Sequence, residues 1–160
     1  MDAHKALLEG LNMADVVCLG YVQDLSDADL LRRPHPKCNH LNWQVGHLIT
    51  AEHQMLESIR PGSMPALPPG FAERYAKETQ ASNDPAQFCS KEELLKAHAE
   101  QREGTKRLLA QLSPADLDRE TGVDYAPTIG AMVSLQSSHW LMHAGQWVIV
   151  RRELGKPVLF

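Results

Sequence analysis

Apolar residues recur every three or four positions in four long segments of the chain, which is the spacing of one face of an α-helix. The first segment runs from about Asp2 to Asp24. The second runs from about Trp43 to Ile59, with Asn42 as a plausible N-cap and Pro61-Gly62 as its end. No stretch alternates apolar and polar residues as a half-buried strand does.

The second half of the chain carries two more helical segments with clear start and stop signals. The third runs from about Lys91 to Leu112 and opens with the capping box Ser90–Glu93. The fourth runs from about Ile129 to Leu154, with Thr128 as the expected N-cap and Gly155 just past its end. These signals predict an all-α chain.

A proline-rich connection, residues 61–89, separates the second and third helices. The stretch FAERYAKE at 71–78 can add a short helix there. One long connection is what a bundle needs when two consecutive helices run parallel. We therefore predict a single domain over residues 1–160, a four-helix bundle with a crossover between helices two and three.

The composition narrows the class of protein. The net charge is −4 and no basic block occurs, so we expect neither a nucleic acid nor a membrane surface as partner. The N-terminal stretch lacks an apolar core, and we expect no secretory signal and no membrane span. Cys18, Cys38 and Cys89 form no C-x-x-C pair, which fits inert thiols in a reducing cytoplasm.

The stretch SSHWLMHAGQW places His139 and His143 four residues apart in the fourth helix. Since a helix turns about 100° per residue, the two imidazoles point the same way and can bind one ion. A catalytic type of zinc site takes three protein ligands and leaves one position open. His47, early in the second helix, can supply the third ligand if the two helices are neighbours.

Two glutamines lie on the same face of the fourth helix. Gln136 precedes His139 by three positions, and Gln146 follows His143 by three. Burying such a polar face without partners costs free energy, and either a metal with its supporting groups or a hydrated pocket supplies partners. We interpret Gln136 and Gln146 as groups that orient ligands or substrate, and Trp43 as an apolar wall or a core residue.

Other polar residues give weaker signals. His53, near Glu52 and Glu57, is expected to face solvent, and both carboxylates are expected to be exposed. His98 is favoured as a core residue of the third helix. Residues 35–40, HPKCNH, lack the second half of a zinc finger.

No catalytic residue stands out in the sequence. Asp124 and Tyr125, in the loop before the fourth helix, are weak candidates for a general base. The apolar tail, residues 158–160, is expected to pack on the bundle or on a second copy of the chain.

Four stretches of the chain resemble the DinB-like (DinB/YfiT) superfamily, and together they span nearly the whole sequence. They are NWQVGHLITAE, PALPPGFAERYAKET, SKEELL and HWLMHAGQWVIVRRELGKP, of which the last is the most specific. The resemblance implies an up-down-down-up four-helix bundle. It also implies a divalent metal held by His47, His139 and His143.

The resemblance implies a range of activities and no single substrate. Members include S-transferases that use bacillithiol or mycothiol and a mycothiol-dependent maleylpyruvate isomerase, and many have no assigned reaction. We expect a metal-dependent hydrolase or thiol S-transferase that acts on a small molecule, and we expect a homodimer. Nitrogen ligands suit zinc and nickel.

Two further interpretations stay open at this point. The chain can be a non-catalytic protein, for example a stress protein that binds a metal or a small molecule. Alternatively, the histidines can form a packed polar layer that binds no metal.

Overall fold

The four long helices of the chain begin and end within two residues of their predicted limits. The structure is a computed structural model that describes all 160 residues. It is all-α, as predicted, and its only β feature is an isolated bridge between Glu120 and Thr128. None of the helices combines the length and the apolar character that a membrane span needs. The α-helices are α1 (Ala3–Val22), α2 (Asp27–Leu30), α3 (Leu41–Ile59), α4 (Phe71–Arg74), α5 (Lys91–Gln111), α6 (Pro114–Leu117) and α7 (Ile129–Glu153).

The four long helices surround one core. Helix α7 packs against α1 and α3, and α5 packs against the same two helices. The side chain of Asn42 donates to the Cys89 carbonyl beside the start of α5, and Arg60 donates to Gln111 at the other end. The starts of α3 and α5 therefore lie side by side, and so do their ends.

The core has two apolar clusters with buried polar residues between them. One cluster surrounds Leu48, Trp140 and Trp147, and the other surrounds Leu11 and Leu56. Each of the four long helices contributes a polar side chain to the layer between the clusters, namely Asp15, Glu52, Arg102 and Gln136.

The predicted capping signals hold for α5 and α7. Ser90 and Glu93 form the capping box in both directions. The Thr128 hydroxyl accepts from the Ala131 N–H, and Gly155 follows α7 with a φ of 67°, which favours glycine.

Helix α3 begins earlier than predicted, because its cap is a different residue. The predicted cap was Asn42, but the Nδ1 of His40 accepts from the Trp43 N–H at 3.0 Å. Asn42 lies inside the helix, where its side chain donates to the Cys89 carbonyl and accepts from the Tyr75 hydroxyl. The side chain of Asn42 thus ties α3 to the crossover.

The crossover packs closely over α3 and α5 because each helix has a glycine beneath it. A Cβ on Gly46 would lie 2.3 Å from the Tyr75 ring, and one on Gly104 would lie 2.5 Å from the Pro65 ring. Arg33 also anchors the crossover, since its guanidinium donates to the carbonyls of Gln80 and Ser82. The predicted short helix in FAERYAKE is present as α4, followed by a 3-10 turn at Lys77–Thr79.

The apolar tail packs on the first helix of the same chain. The Phe160 ring makes an edge contact with Tyr21, with centroids 5.7 Å apart, and lies over Gly20 of α1. Of the two partners expected for the tail, the structure shows the chain's own first helix.

Gly46→Ala should destabilise the protein, because the new methyl group collides with the Tyr75 ring. Overpacking of this kind costs about 1–3 kcal/mol, against a gain of up to about 1 kcal/mol in helix propensity. Gly145→Ala in α7 is the matched control, since nothing lies within 4 Å of its new methyl group, and it should leave stability unchanged or raise it. Urea denaturation measures both, and equal effects would contradict the close approach at Gly46.

The stability of the protein should fall in acid partly through His40. Burial lowers the pKa of His40 from 6.5 to about 4. The unfolded chain therefore takes up this proton first, and stability on the order of 3 kcal/mol is lost as the pH falls from 6.5 to 4. His40→Asn keeps an N-cap but does not titrate, so its free energy of unfolding should vary less over this window. If the free energy of unfolding changed by the same amount in both proteins between pH 6.5 and 4, His40 would not contribute to the acid sensitivity.

Candidate metal centre

The structure brings the three predicted histidines together between α3 and α7. His47 lies in the second turn of α3, and His139 and His143 lie one turn apart in α7. One ring nitrogen from each lies within 4.8 Å of the others, and the ring centroids are 5.1 to 5.8 Å apart. No aspartate, glutamate or cysteine joins this cluster.

The three rings favour their uncharged form. All are half-buried, and burial lowers the pKa of each one. The pKa of His143 falls to about 4 because burial is reinforced by repulsion from His139 and His47. At neutral pH the cluster therefore offers nitrogen lone pairs, which is the form of histidine that binds a metal.

The donor set fits a divalent ion. An ion bound tetrahedrally at about 2.0–2.1 Å places its nitrogen ligands about 3.4 Å apart. Nitrogens that already lie within 4.8 Å reach this separation by small ring rotations. Three neutral imidazoles leave a fourth position open, and the partial exposure of the rings gives solvent access to it.

Trp43 packs directly on the cluster. Its ring stacks on His47, with centroids 5.0 Å apart and planes 7° from parallel. Its indole N–H donates to the Thr79 hydroxyl in the crossover at 3.0 Å. Trp43, predicted as an apolar wall or a core residue, belongs to the buried core and lies between His47 and the crossover.

Gln44 contacts the cluster but was not singled out in the sequence. Its side-chain oxygen accepts from His143 Nδ1 and from the Trp147 indole, both at 2.9 Å. Its amide nitrogen donates to the Asn39 carbonyl at 2.8 Å and to the Gln146 side chain at 3.2 Å. The predicted residue Gln146 therefore connects to His143 through Gln44.

Gln136 is buried at the same helix interface, but its hydrogen bonds go to groups other than the histidines. Its amide donates to the Met132 carbonyl within α7 at 2.9 Å and lies 3.5 Å from the Met55 sulfur. It makes no hydrogen bond to His139 or His143.

Glu52 was expected to be exposed, and this prediction is wrong. The residue is 1% exposed, and its carboxylate accepts from Thr105 at 2.5 Å and from the Trp140 indole at 3.0 Å. It also pairs with Arg102 at 3.0 Å. Glu52 occupies the core stripe of α3 with Leu48, so the helical register buries it and its partners compensate the charge.

The ion-pair network of Glu52 and Arg102 extends to α1 through Asp15, which is half-buried. Asp15 lies 2.8 Å from Arg102, 3.2 Å from Lys106 and 3.3 Å from His98. His98 is buried, as predicted for a core residue, with its ring 4.6 Å from that of Trp140. The ion-pair network therefore reaches the indole next to His139.

The remaining predicted residues lie apart from the cluster. His53 was expected to face solvent, but it is half-buried with Nδ1 3.1 Å from the Gln101 side chain. Asp124 and Tyr125 are exposed in the loop before α7, whose first residue, Ile129, lies about 15 Å along the helix axis from His139. Residues 35–40 form no metal-ligand group.

The fold and the cluster together define an all-α protein with a candidate three-histidine metal centre between two of its long helices. The sequence model of the DinB superfamily matches residues 16–147, and the chain belongs to this family.

A solved structure shares the fold. It is the crystal structure of a conserved protein from Enterococcus faecalis, with a TM-score of 0.71 and 17% sequence identity. The match covers 98% of this chain and 99% of that one. No curated protein matches the sequence.

Glu52→Gln should destabilise the protein strongly, because Arg102 then loses its buried carboxylate partner and keeps only the half-buried Asp15. We expect a loss of about 3 kcal/mol, the scale for breaking a buried ion pair. Glu103→Gln changes the same chemical group on an exposed position of α5 and should have little effect. Thermal and urea denaturation compare the two, and a negligible loss in Glu52→Gln would contradict the role given to this ion pair.

Proposed function

We propose that the chain binds one divalent metal ion through His47, His139 and His143, and that this centre acts on a small electrophilic molecule. The observation that carries the proposal is the uncharged cluster of ring nitrogens within 4.8 Å, contributed by two packed helices. Membership of the DinB superfamily supports it.

Each residue around the centre has a defined part in this proposal. When bound, the ion supplies a Lewis acid that lowers the pKa of a water or thiol at its open position. The three histidines would hold the ion, and Trp43 covers one face of His47. The side-chain oxygen of Gln44 accepts a hydrogen bond from His143 Nδ1 and keeps that ring in place.

The nucleophile in the proposed reaction comes from outside the protein. None of the three cysteines belongs to the cluster, and burial raises the pKa of Cys18 to about 12, which makes it unreactive. Water or a low-molecular-weight thiol remains, so the reaction is a hydrolysis or a thiol S-transfer. Zinc and nickel are the metals we propose, because both accept nitrogen ligands.

A second candidate is a non-catalytic protein that binds the metal or a small molecule. One observation favours it: no aspartate, glutamate or cysteine joins the three histidines, so the cluster has no general base of these types beside it. A screen of the metal-loaded protein for thiol transfer and for hydrolysis separates the two candidates. Activity lost in His139→Ala supports the enzyme, whereas tight metal binding without turnover supports the second candidate.

The proposal extends to topology and assembly. The side-by-side ends of α3 and α5 support the up-down-down-up bundle order. We also propose that the protein is cytoplasmic and that it forms a homodimer. Light scattering on the purified protein tests the homodimer.

Elemental analysis of protein purified without a histidine tag should find one metal ion per chain. His47→Ala, His139→Ala and His143→Ala should each lose it, because two imidazoles hold a divalent ion far more weakly than three. His53→Ala is the matched control, since this half-buried histidine of α3 lies outside the cluster. A wild-type protein that takes up no metal, even after incubation with zinc or nickel, would overturn the proposed function.

A further inference from the structure

The orientation of the Gln44 amide is fixed by neighbours at both of its ends. The Trp147 indole is only a donor, and it lies 2.9 Å from the atom assigned as oxygen. The Asn39 carbonyl is only an acceptor, and it lies 2.8 Å from the atom assigned as nitrogen. A flipped amide would oppose donor to donor at one end and acceptor to acceptor at the other.

This orientation determines where the proton of His143 lies. The oxygen of Gln44 is 2.9 Å from His143 Nδ1, and an amide oxygen can only accept. Nδ1 must therefore carry the hydrogen. A neutral imidazole has a single N–H, so the lone pair of His143 is on Nε2.

We propose that Gln44 is a positioning residue that holds His143 in its Nδ1–H tautomer, so that Nε2 is the nitrogen offered to the metal. The metal half of this inference rests on the proposed function. The tautomer half follows from hydrogen bonds within the chain and stands without an ion.

The same helix that supplies His47 also supplies this positioning group. Gln44 precedes His47 by three residues, so both side chains leave the same side of α3 toward α7. Gln44 is 1% exposed, and all of its amide positions are engaged by Asn39, Gln146, Trp147 and His143. Its oxygen is therefore fixed before any ion arrives.

The tautomer is measured on metal-free, ¹⁵N-labelled protein by two-dimensional NMR of the imidazole nitrogens at neutral pH. His143→Gln identifies the ring signals. We expect the Nδ1–H form for the wild type and a shift toward Nε2–H in Gln44→Met. A wild-type His143 in the Nε2–H form would overturn the proposal, and this spectrum decides the tautomer even if Gln44→Met does not fold.

Zinc affinity, measured against a competing chelator, tests the consequence for the metal. Gln44→Met should bind zinc about 10- to 100-fold more weakly, the usual effect of removing a group that orients a ligand. Gln136→Met is the matched control, since Gln136 is equally buried at the same interface but bonds only to the Met132 carbonyl and the Met55 sulfur. It should bind zinc within about twofold of the wild type.

Gln44→Glu keeps an acceptor for Nδ1–H, but its second oxygen replaces the N–H that donates to the Asn39 carbonyl. We expect it to return the Nδ1–H signal and to bind zinc more tightly than Gln44→Met. Equal zinc affinity in Gln44→Met and the wild type would overturn the positioning role. If the wild type shows the Nδ1–H form but binds neither zinc nor nickel, the proposed function and the ligand assignment fail while the tautomer assignment holds.

Discussion

The buried carboxylate of Glu52 is the constraint on which the helix arrangement depends. It links α3 to α5 through Arg102 and Thr105, and it links α3 to α7 through Trp140. Arg102 also pairs with Asp15 of α1. A buried ion pair adds little net stability, but separating its partners is costly. Any packing that slides α3 along α7 breaks the hydrogen bond from the Trp140 indole to Glu52. This hydrogen bond therefore selects the register that sets His47 opposite His139.

The candidate centre is divided between two helices. Helix α3 supplies His47 and the orienting Gln44, and α7 supplies His139, His143 and the Trp147 indole that fixes Gln44. Because no single helix carries the complete set, the site exists only when α3 and α7 are packed. Metal binding would therefore add directly to the stability of the folded chain.

The helices could be predicted because periodicity and capping are local properties. Ser90, Glu93 and Thr128 act within one turn of their own helix, and the four-residue spacing in α7 fixes the relative direction of its two histidines. Glu52 was expected to be exposed, because its compensating partner Arg102 comes 50 residues later and only tertiary packing pairs them. For the same reason the role of Gln44 was not predicted, because it depends on a hydrogen bond from Trp147 in another helix.

The chain has three tryptophans, and each of them contacts a side chain of α3. Trp43 stacks on His47, Trp147 donates to Gln44, and Trp140 donates to Glu52. No other part of the protein contains an indole. Its intrinsic fluorescence is consequently an optical signal from the surroundings of α3, and a change in the state of the histidines would be visible without any added label.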